Sequence, residues 1–493
     1  MADNSQSSYR SIFKATSLFG GVQVYQILIQ IIRSKVIAVL LGPAGVGIIG
    51  LFQSGLQLVQ QMTNMGLAQS AVRDVSEANG TGDNQRISKT ITAVRRLVWI
   101  TGLLGLIAVA VLSPLLSKSS FGNYDYTIPF IFLSITLLFD QLSAGQKVVL
   151  QGMRRLKDLA KCSAFGATFG LLVSIPLYYW MGVKGIVPTL ILTSFCALCL
   201  SWVYSRRIKT EPVQVTTKQT FEQGRLMLVM GISMSVSGIL STGVAFIIRS
   251  YIQNVGGVEE VGLYQAGFII MNTYVGLIMN AIATDYYPRL AAINTDNIKC
   301  REAVSQQGEI GTMILAPMLT ACLVFMPFVL KILYSDQFLV ANNYISWACL
   351  GMLLRFASWI ISFMFVAKAE SKVFMLNEIS ANIYTLLFSV LGYKFWGLQG
   401  IGVAFALNYL LYLIQVYLIA HHRYQFGFSS NFIRCYGIQF IFVVASLCTV
   451  LKFDGFTKYV IGVLLILMSS YYGFRGINQR LDLVTVLKNK LNK

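Results

Sequence analysis

Apolar segments of the length that crosses a bilayer recur along the whole chain. A membrane-spanning helix needs roughly 20 consecutive apolar residues. Hydrophobic residues make up 55% of the 493-residue chain and charged residues 12%, whereas soluble proteins average about 25% charged residues. An outer-membrane barrel would show short strands of alternating hydrophobicity instead. The sequence therefore predicts an all-α polytopic membrane protein.

The apolar segments divide the chain into about fourteen transmembrane helices. A polar stretch at 205–225 separates six spans from six more, and the last two spans stand apart. The predicted spans are 12–41, 44–70, 97–117, 128–150, 162–181, 186–204, 226–253, 261–286, 309–333, 341–366, 373–393, 400–420, 436–451 and 458–473.

Three motifs recur about 215 residues later in the chain, in the same order. The pairs are 31–34 (Ile-Ile-Arg-Ser) with 247–250, 50–55 with 262–267, and 182–186 with 397–401. An even number of spans precedes each half, so the halves are predicted to be parallel repeats. The predicted domains are a six-span N-lobe at 1–204, a cytoplasmic linker at 205–225, a six-span C-lobe at 226–420, and two extra spans with a cytoplasmic tail at 421–493.

Lys and Arg residues are concentrated in every second connection between the predicted spans. With an internal N-terminus, 28 of the 39 Lys and Arg residues fall in inner connections or inner tails and six fall in outer ones. Because Lys and Arg accumulate in short cytoplasmic loops, both termini are predicted to be cytoplasmic. The same distribution accounts for the net charge of +19 without a nucleic-acid partner.

Arginines within the spans are the first candidates for a binding site. A charge in a span costs on the order of 3 kcal/mol and usually faces a protein interior or a water-filled cavity. Arg33 and Arg249 lie in the repeated motif, and Arg355 lies well inside the tenth span. The alternatives are that each arginine pairs with an acid, caps a backbone carbonyl or snorkels to the membrane surface, the last being the stronger rival for Arg249. The positive sign of the buried charges favours an anionic substrate.

Uncharged polar residues form stripes on the first two spans. Gln26 and Gln30 share one helical face, and Gln53 and Gln57 share another. Such stripes either hydrogen-bond across helices or contact sugar hydroxyls. Asp140 is the deepest acid and is a candidate for a coupling-ion site, with a salt bridge to a neighbouring helix as the favoured alternative.

Other chemistry has little support in the sequence. There is no phosphate-binding glycine loop, and Cys196 and Cys199 have no second ligand pair for a metal. The only two histidines, His421 and His422, adjoin at the cytoplasmic end of a span. No nucleophile–base set is evident. We therefore expect no cofactor, no metal and no catalytic residue.

The whole pattern resembles the multidrug/oligosaccharidyl-lipid/polysaccharide (MOP) exporter superfamily over residues 10–475. The first 75 residues resemble the O-antigen translocases, bacterial flippases of lipid-linked oligosaccharides. Those residues are 14–17, 33–35, 41–47, 50–51, 66–67 and Arg73. Many such flippases are described with twelve spans, so the fourteen counted here leave the lipid II flippases open as the closer group.

The resemblance implies alternating access and an undecaprenyl-diphosphate-linked repeat unit that moves from the cytoplasmic to the periplasmic leaflet of the inner membrane. It places Arg33 and Arg249 at the diphosphate. Expected partners are the lipid-linked oligosaccharide and membrane lipids, with glycan polymerase machinery as a further candidate. The alternatives are a cation-coupled exporter of drugs or metabolites, and a membrane scaffold without transport activity.

Overall fold

The computed structural model describes the backbone of residues 2–208 and 217–481. Side chains are described from residue 21 onward, except at 68–69, 209–234, 481 and isolated positions in 274–288. These residues form helices and no strand, which confirms the all-α prediction. The helices are α1 Ala2–Thr63, α2 Leu67–Thr81, α3 Asn84–Phe121, α4 Thr127–Gly152, α5 Leu156–Met181, α6 Ile186–Ser205, α7 Thr217–Gly256, α8 Val258–Ile269, α9 Gly276–Ala292, α10 Asn297–Leu333, α11 Asn342–Ala367, α12 Ser371–Tyr424, α13 Ser430–Lys452 and α14 Gly455–Leu481. Part of the predicted linker, 209–216, and the end of the tail, 482–493, lie outside the described residues.

Eleven helices in the described ranges are long and apolar enough to cross a membrane. Three of these helical segments are much longer than one span. They are Gly21–Thr63, Leu156–Ser205, which joins α5 and α6, and Ser371–Tyr424, with 43, 50 and 54 residues. At 1.5 Å per residue, each is long enough for two crossings of a hydrocarbon core about 30 Å thick. The count of fourteen spans stays a prediction, which holds if each of these three helices crosses twice.

Helix α12 is a helical hairpin. Its backbone leaves the helical conformation at Trp396 and Gly397. The Asn408 side chain donates to the Thr385 hydroxyl at 3.0 Å, and Gln415 donates to the Asn377 side chain at 2.8 Å. Both pairs are centred near residue 396, so the two arms run antiparallel.

The backbone repeats the duplication seen in the sequence. Six residues with positive φ form three pairs, and the members of each pair are 215 positions apart. The pairs are Gly42 (65°) with Gly257 (86°), Arg154 (54°) with Ala369 (57°), and Gly182 (54°) with Gly397 (57°). Positive φ is unfavourable for residues with a Cβ atom. The shared turns are therefore specific conformations at equivalent points of the two halves.

The contacts divide the chain into two compact units, Met1–Gly262 and Leu263–Lys493. In the first unit, α5 packs on α1, α4 packs between α3 and α6, and α7 packs on α1, α2 and α3. The repeat assigns α7 to the second half, so this division and the duplication cut the chain at different places. The lobe boundaries inferred from the repeat stay predictions.

The second unit is built around α10 and the α11–α12 pair. The last two helices, α13 and α14, pack along α10. Asp296 caps the N-terminus of α10 by accepting from the backbone N–H groups of Ile298 and Lys299 at 3.0 and 3.1 Å. The hydrogen bond from Lys299 is the main reason that the pKa of the Asp296 carboxyl is lowered.

Candidate functional site

Arg33 joins a group of buried polar atoms between α1, α5 and α6. Its guanidinium interacts with the hydroxyl of Tyr178 on α5, which also lies close to the hydroxyl of Thr189 on α6. Tyr178 and Thr189 are 1% and 0% exposed. Among the described residues, Arg33 Nε, Tyr178 Oη and Thr189 Oγ1 have no partner with good hydrogen-bond geometry. We call these three residues the Arg33 cluster.

Unpaired polar atoms are uncommon in a protein interior because each costs desolvation energy without a compensating bond. Arg33, Tyr178 and Thr189 lie next to one another, so these atoms contact each other without forming well-aligned hydrogen bonds. A second contact, between the hydroxyls of Tyr25 and Thr168 at 2.7 Å, joins α1 to α5 two turns away. The frame around Arg33 is therefore fixed by two long helices.

The predicted glutamines have different surroundings. Gln26, Gln30 and Gln53 are half-buried, and Gln57 is exposed. The polar residue that links helices in this part of the unit is Gln141, which the sequence analysis did not single out. Its amide donates to Thr101 at 2.9 Å and to Asn64 at 3.2 Å. Gln141 is 4% exposed, so this network binds α1, α3 and α4 together.

Arg249 is 6% exposed, and its Nη1 donates to the backbone carbonyl of Ala245, one turn earlier in α7, at 3.0 Å. Arg33 and Arg249 are not at equivalent points of the backbone repeat. Arg33 precedes Gly42 by nine residues, whereas Arg249 precedes Gly257 by eight. A shift of one residue turns a side chain by about 100° around a helix. Relative to these turns, the two arginines therefore differ in register by one residue.

Arg355 on α11 contacts polar and aromatic side chains of the second unit. Its Nη1 donates to the Asn272 side chain at 2.6 Å, and its guanidinium carbon lies 5.4 Å from the Tyr409 ring centre. Asn272 sits in a π-helical turn, Ile270–Val275, between α8 and α9. Such turns are rare and often occur at functional sites. No sequence pattern indicated this turn.

Asp140 lies beside the Ser194 hydroxyl and within electrostatic range of Lys147 on its own helix, α4. Lys147 lies on the same helix and not on a neighbouring one, so the salt bridge across helices and the coupling-ion role of Asp140 both stay predictions. Within the described ranges, no group of three or more His, Cys, Asp or Glu residues is placed to hold a metal ion. Two candidate polar sites remain. One is the Arg33 cluster, and the other is Arg355 with its partner Asn272.

The fold is that of the transporters of the MOP superfamily. A MATE-family multidrug resistance transporter in an inward-facing conformation superposes with a TM-score of 0.70, at 16% identity, over 81% of this chain and 94% of that one. The lipid II flippase MurJ, in an inward closed conformation, superposes with a TM-score of 0.67, at 12% identity, over 94% and 99% of the two chains. This is the superfamily that the sequence resembles.

The chain belongs to the polysaccharide biosynthesis protein family, whose model matches residues 36–343. Among characterised relatives, the lipid III flippase of Escherichia coli K12 is 21% identical over 410 residues, which is 82% of this chain and 96% of that protein. These findings confirm the recognition of a polytopic MOP-superfamily protein. Placement among the O-antigen translocases stays a prediction.

Proposed function

We propose that the protein is a flippase for lipid-linked oligosaccharides with a diphosphate linkage. In this proposal it resides in the bacterial inner membrane with both termini in the cytoplasm and works by alternating access. The cargo is a surface-glycan repeat unit of the O-antigen type, which moves from the cytoplasmic to the periplasmic leaflet. Family membership and the lipid III flippase relative support the class of cargo.

The Arg33 cluster is the observation that carries the proposal. A diphosphate cannot enter hydrocarbon without groups that replace its hydration. A guanidinium can donate two parallel hydrogen bonds to phosphate oxygens, and the Tyr178 and Thr189 hydroxyls could donate further ones. Arg249, Arg355 and the glutamines Gln26, Gln30, Gln53 and Gln57 are proposed as additional contacts to the diphosphate or the sugars, and Asp140 as the candidate for ion coupling.

The test uses purified protein in vesicles that contain a fluorescent, diphosphate-linked lipid oligosaccharide. Loss of one charged contact to a desolvated anion costs about 2 kcal/mol or more, so Arg33→Ala should slow flipping at least about 30-fold. Arg33→Lys, which keeps the charge, should retain part of the rate. Arg86→Ala is the matched control, since Arg86 is 51% exposed and paired with Glu77 at 2.7 Å.

The same variants should restore surface glycan in a flippase-deficient strain in the order of their vesicle rates, at equal protein levels. Full flipping by Arg33→Ala would refute the site. Drug resistance on expression, with no lipid flipping by the wild type, would instead favour a cation-coupled exporter. No transport of either cargo would favour a scaffold for a glycan polymerase.

A further inference from the structure

A cavity opens between α3, α4 and α6 in the first unit. Its volume is about 590 Å³, within the range of small-molecule sites. Most of its wall is formed by valine, leucine, phenylalanine and tryptophan side chains. Arg95, Arg206 and Gln146 are the polar exceptions. The cavity is therefore amphipathic, with an apolar wall and a cationic part.

The cationic part has unused hydrogen-bonding capacity. Arg95 Nε and Gln146 Oε1 are buried and have no hydrogen-bond partner among the described residues. Arg206 stacks on Trp202, with 4.5 Å between the guanidinium carbon and the ring centre. The neighbouring Arg207 forms an ion pair with Asp158 at 3.5 Å, whereas Arg206 forms none with the residues that the structure describes. Two arginines thus line this cavity, and neither forms an ion pair within the part of the chain that the structure describes.

The tryptophans indicate the depth of the cavity in the membrane. Trp99 and Trp202 line it and are 50% and 48% exposed. Exposed tryptophans concentrate at the level of the lipid headgroups. Arg95 precedes Trp99 by one turn on α3, and Arg206 directly follows α6, four residues after Trp202. The charge distribution of the connections assigns both of these helix ends to the cytoplasmic side.

We infer that this cavity binds an anionic glycerophospholipid of the cytoplasmic leaflet. The lipid phosphate interacts with Arg95 and Arg206, and the adjoining acyl chain lies along the apolar wall. Basic pockets between helices on the cytoplasmic side suit such headgroups. A free phosphate would leave the apolar wall uncovered, and a neutral lipid would leave the two arginines unpaired. The inference does not depend on the identity of the transported cargo.

The test measures lipid binding by purified full-length protein in detergent, by native mass spectrometry and by the shift of the unfolding midpoint. The added compounds are phosphatidylglycerol, phosphatidylcholine and inorganic phosphate. Phosphatidylglycerol alone should bind and raise the midpoint, because a ligand that binds only the folded state stabilises it. Arg95→Gln/Arg206→Gln should weaken this binding about 30-fold, from roughly 1 kcal/mol per cation.

The matched control is Lys157→Gln/Lys161→Gln, which removes two exposed cations from the same predicted face and should bind phosphatidylglycerol as the wild type does. Leu198→Trp fills the cavity and keeps both arginines, so it should also abolish binding. It provides a second variant if the double arginine variant folds poorly. Equal loss in the lysine control would mean that the lipid responds only to surface charge and would overturn the inference.

Cys199 supplies an independent readout because its exposed side chain lines the cavity. Its maleimide labelling, followed at the peptide level, should slow when phosphatidylglycerol is added and not with phosphatidylcholine. The exposed Cys448 on α13 serves as the internal reference within the same sample. Protection of Cys199 by inorganic phosphate alone would identify a free anion as the occupant, and no protection by any of the three compounds would exclude the site.

Discussion

Glu309 and Arg480 form an ion pair, and removal of Arg480 should destabilise the protein more than removal of the Glu309 charge. Glu309, on α10, accepts from Arg480 Nε on α14 at 2.8 Å and from the Ser429 hydroxyl, just before α13, at 3.1 Å. The Glu309 side chain is 8% exposed, whereas that of Arg480 is 32% exposed. The carboxylate therefore depends on its partners much more than the guanidinium does.

Removal of Arg480 leaves the Glu309 charge buried with one hydroxyl donor. Breaking a buried pair in this way costs about 3–5 kcal/mol, and the partial exposure of Arg480 places Arg480→Ala near the lower end. Glu309→Gln leaves a guanidinium that water can reach, so its cost should be about 1 kcal/mol. For a unit of about 230 residues, these values correspond to midpoint shifts of roughly 6 °C and 2 °C.

The assay is thermal unfolding of purified protein in one detergent at fixed scan rate, with Arg86→Met, at an exposed pair, as the control of near-zero effect. The double variant Glu309→Gln/Arg480→Met should cost about as much as Glu309→Gln alone, since no unpaired charge remains. Equal shifts for the two single variants, or a double variant that equals their sum, would refute the argument from unequal burial.

Two further predictions follow from the helix contacts. Gly397 has a φ of 57° and a ψ of −142°, close to a region nearly confined to glycine, with open space around it, so Gly397→Ala should cost about 1–3 kcal/mol of backbone strain. Gly400→Ala should lower the thermal midpoint further, because its Cβ would collide with the Gly392 carbonyl across the hairpin. Asn272→Ala removes the acceptor of Arg355 and should slow vesicle flipping several-fold, whereas Asn272→Asp should preserve it; equal rates for both variants would exclude Asn272 as a positioning residue.

The sequence could predict the helices because bilayer-length apolar runs admit few other structures. The turn at Gly397 falls within the predicted connection between 393 and 400, and glycine is the residue that such a backbone needs. The sequence could not predict how the buried cations are satisfied. Asn272 and Arg355 are 83 positions apart, and Asn272 reaches Arg355 from a π-helical turn, which leaves no recognisable pattern.

Tyr178 and Thr189 also escaped the sequence analysis, for a different reason. Isolated hydroxyl residues in apolar spans commonly bond to the carbonyl one turn earlier, as Thr101 does with Leu97 at 3.0 Å. Nothing in a single sequence separates such a residue from one that lacks a partner. Gln141 could have been found, because an uncharged amide next to Asp140 in the middle of a span requires a polar partner on another helix.

Equivalent positions of the two halves show how much of the Arg33 cluster is repeated. The positive-φ turns are 215 positions apart, whereas Arg33 and Arg249 are 216 apart, so the two arginines differ by one position in their distance from the turn. Tyr178 has its counterpart in Tyr393, also buried, but the position of Thr189 is occupied by Ala404. The second half thus shares the turns and lacks the full polar cluster. The proposed diphosphate contact therefore includes one hydroxyl, that of Thr189, which has an alanine at the equivalent position of the second half.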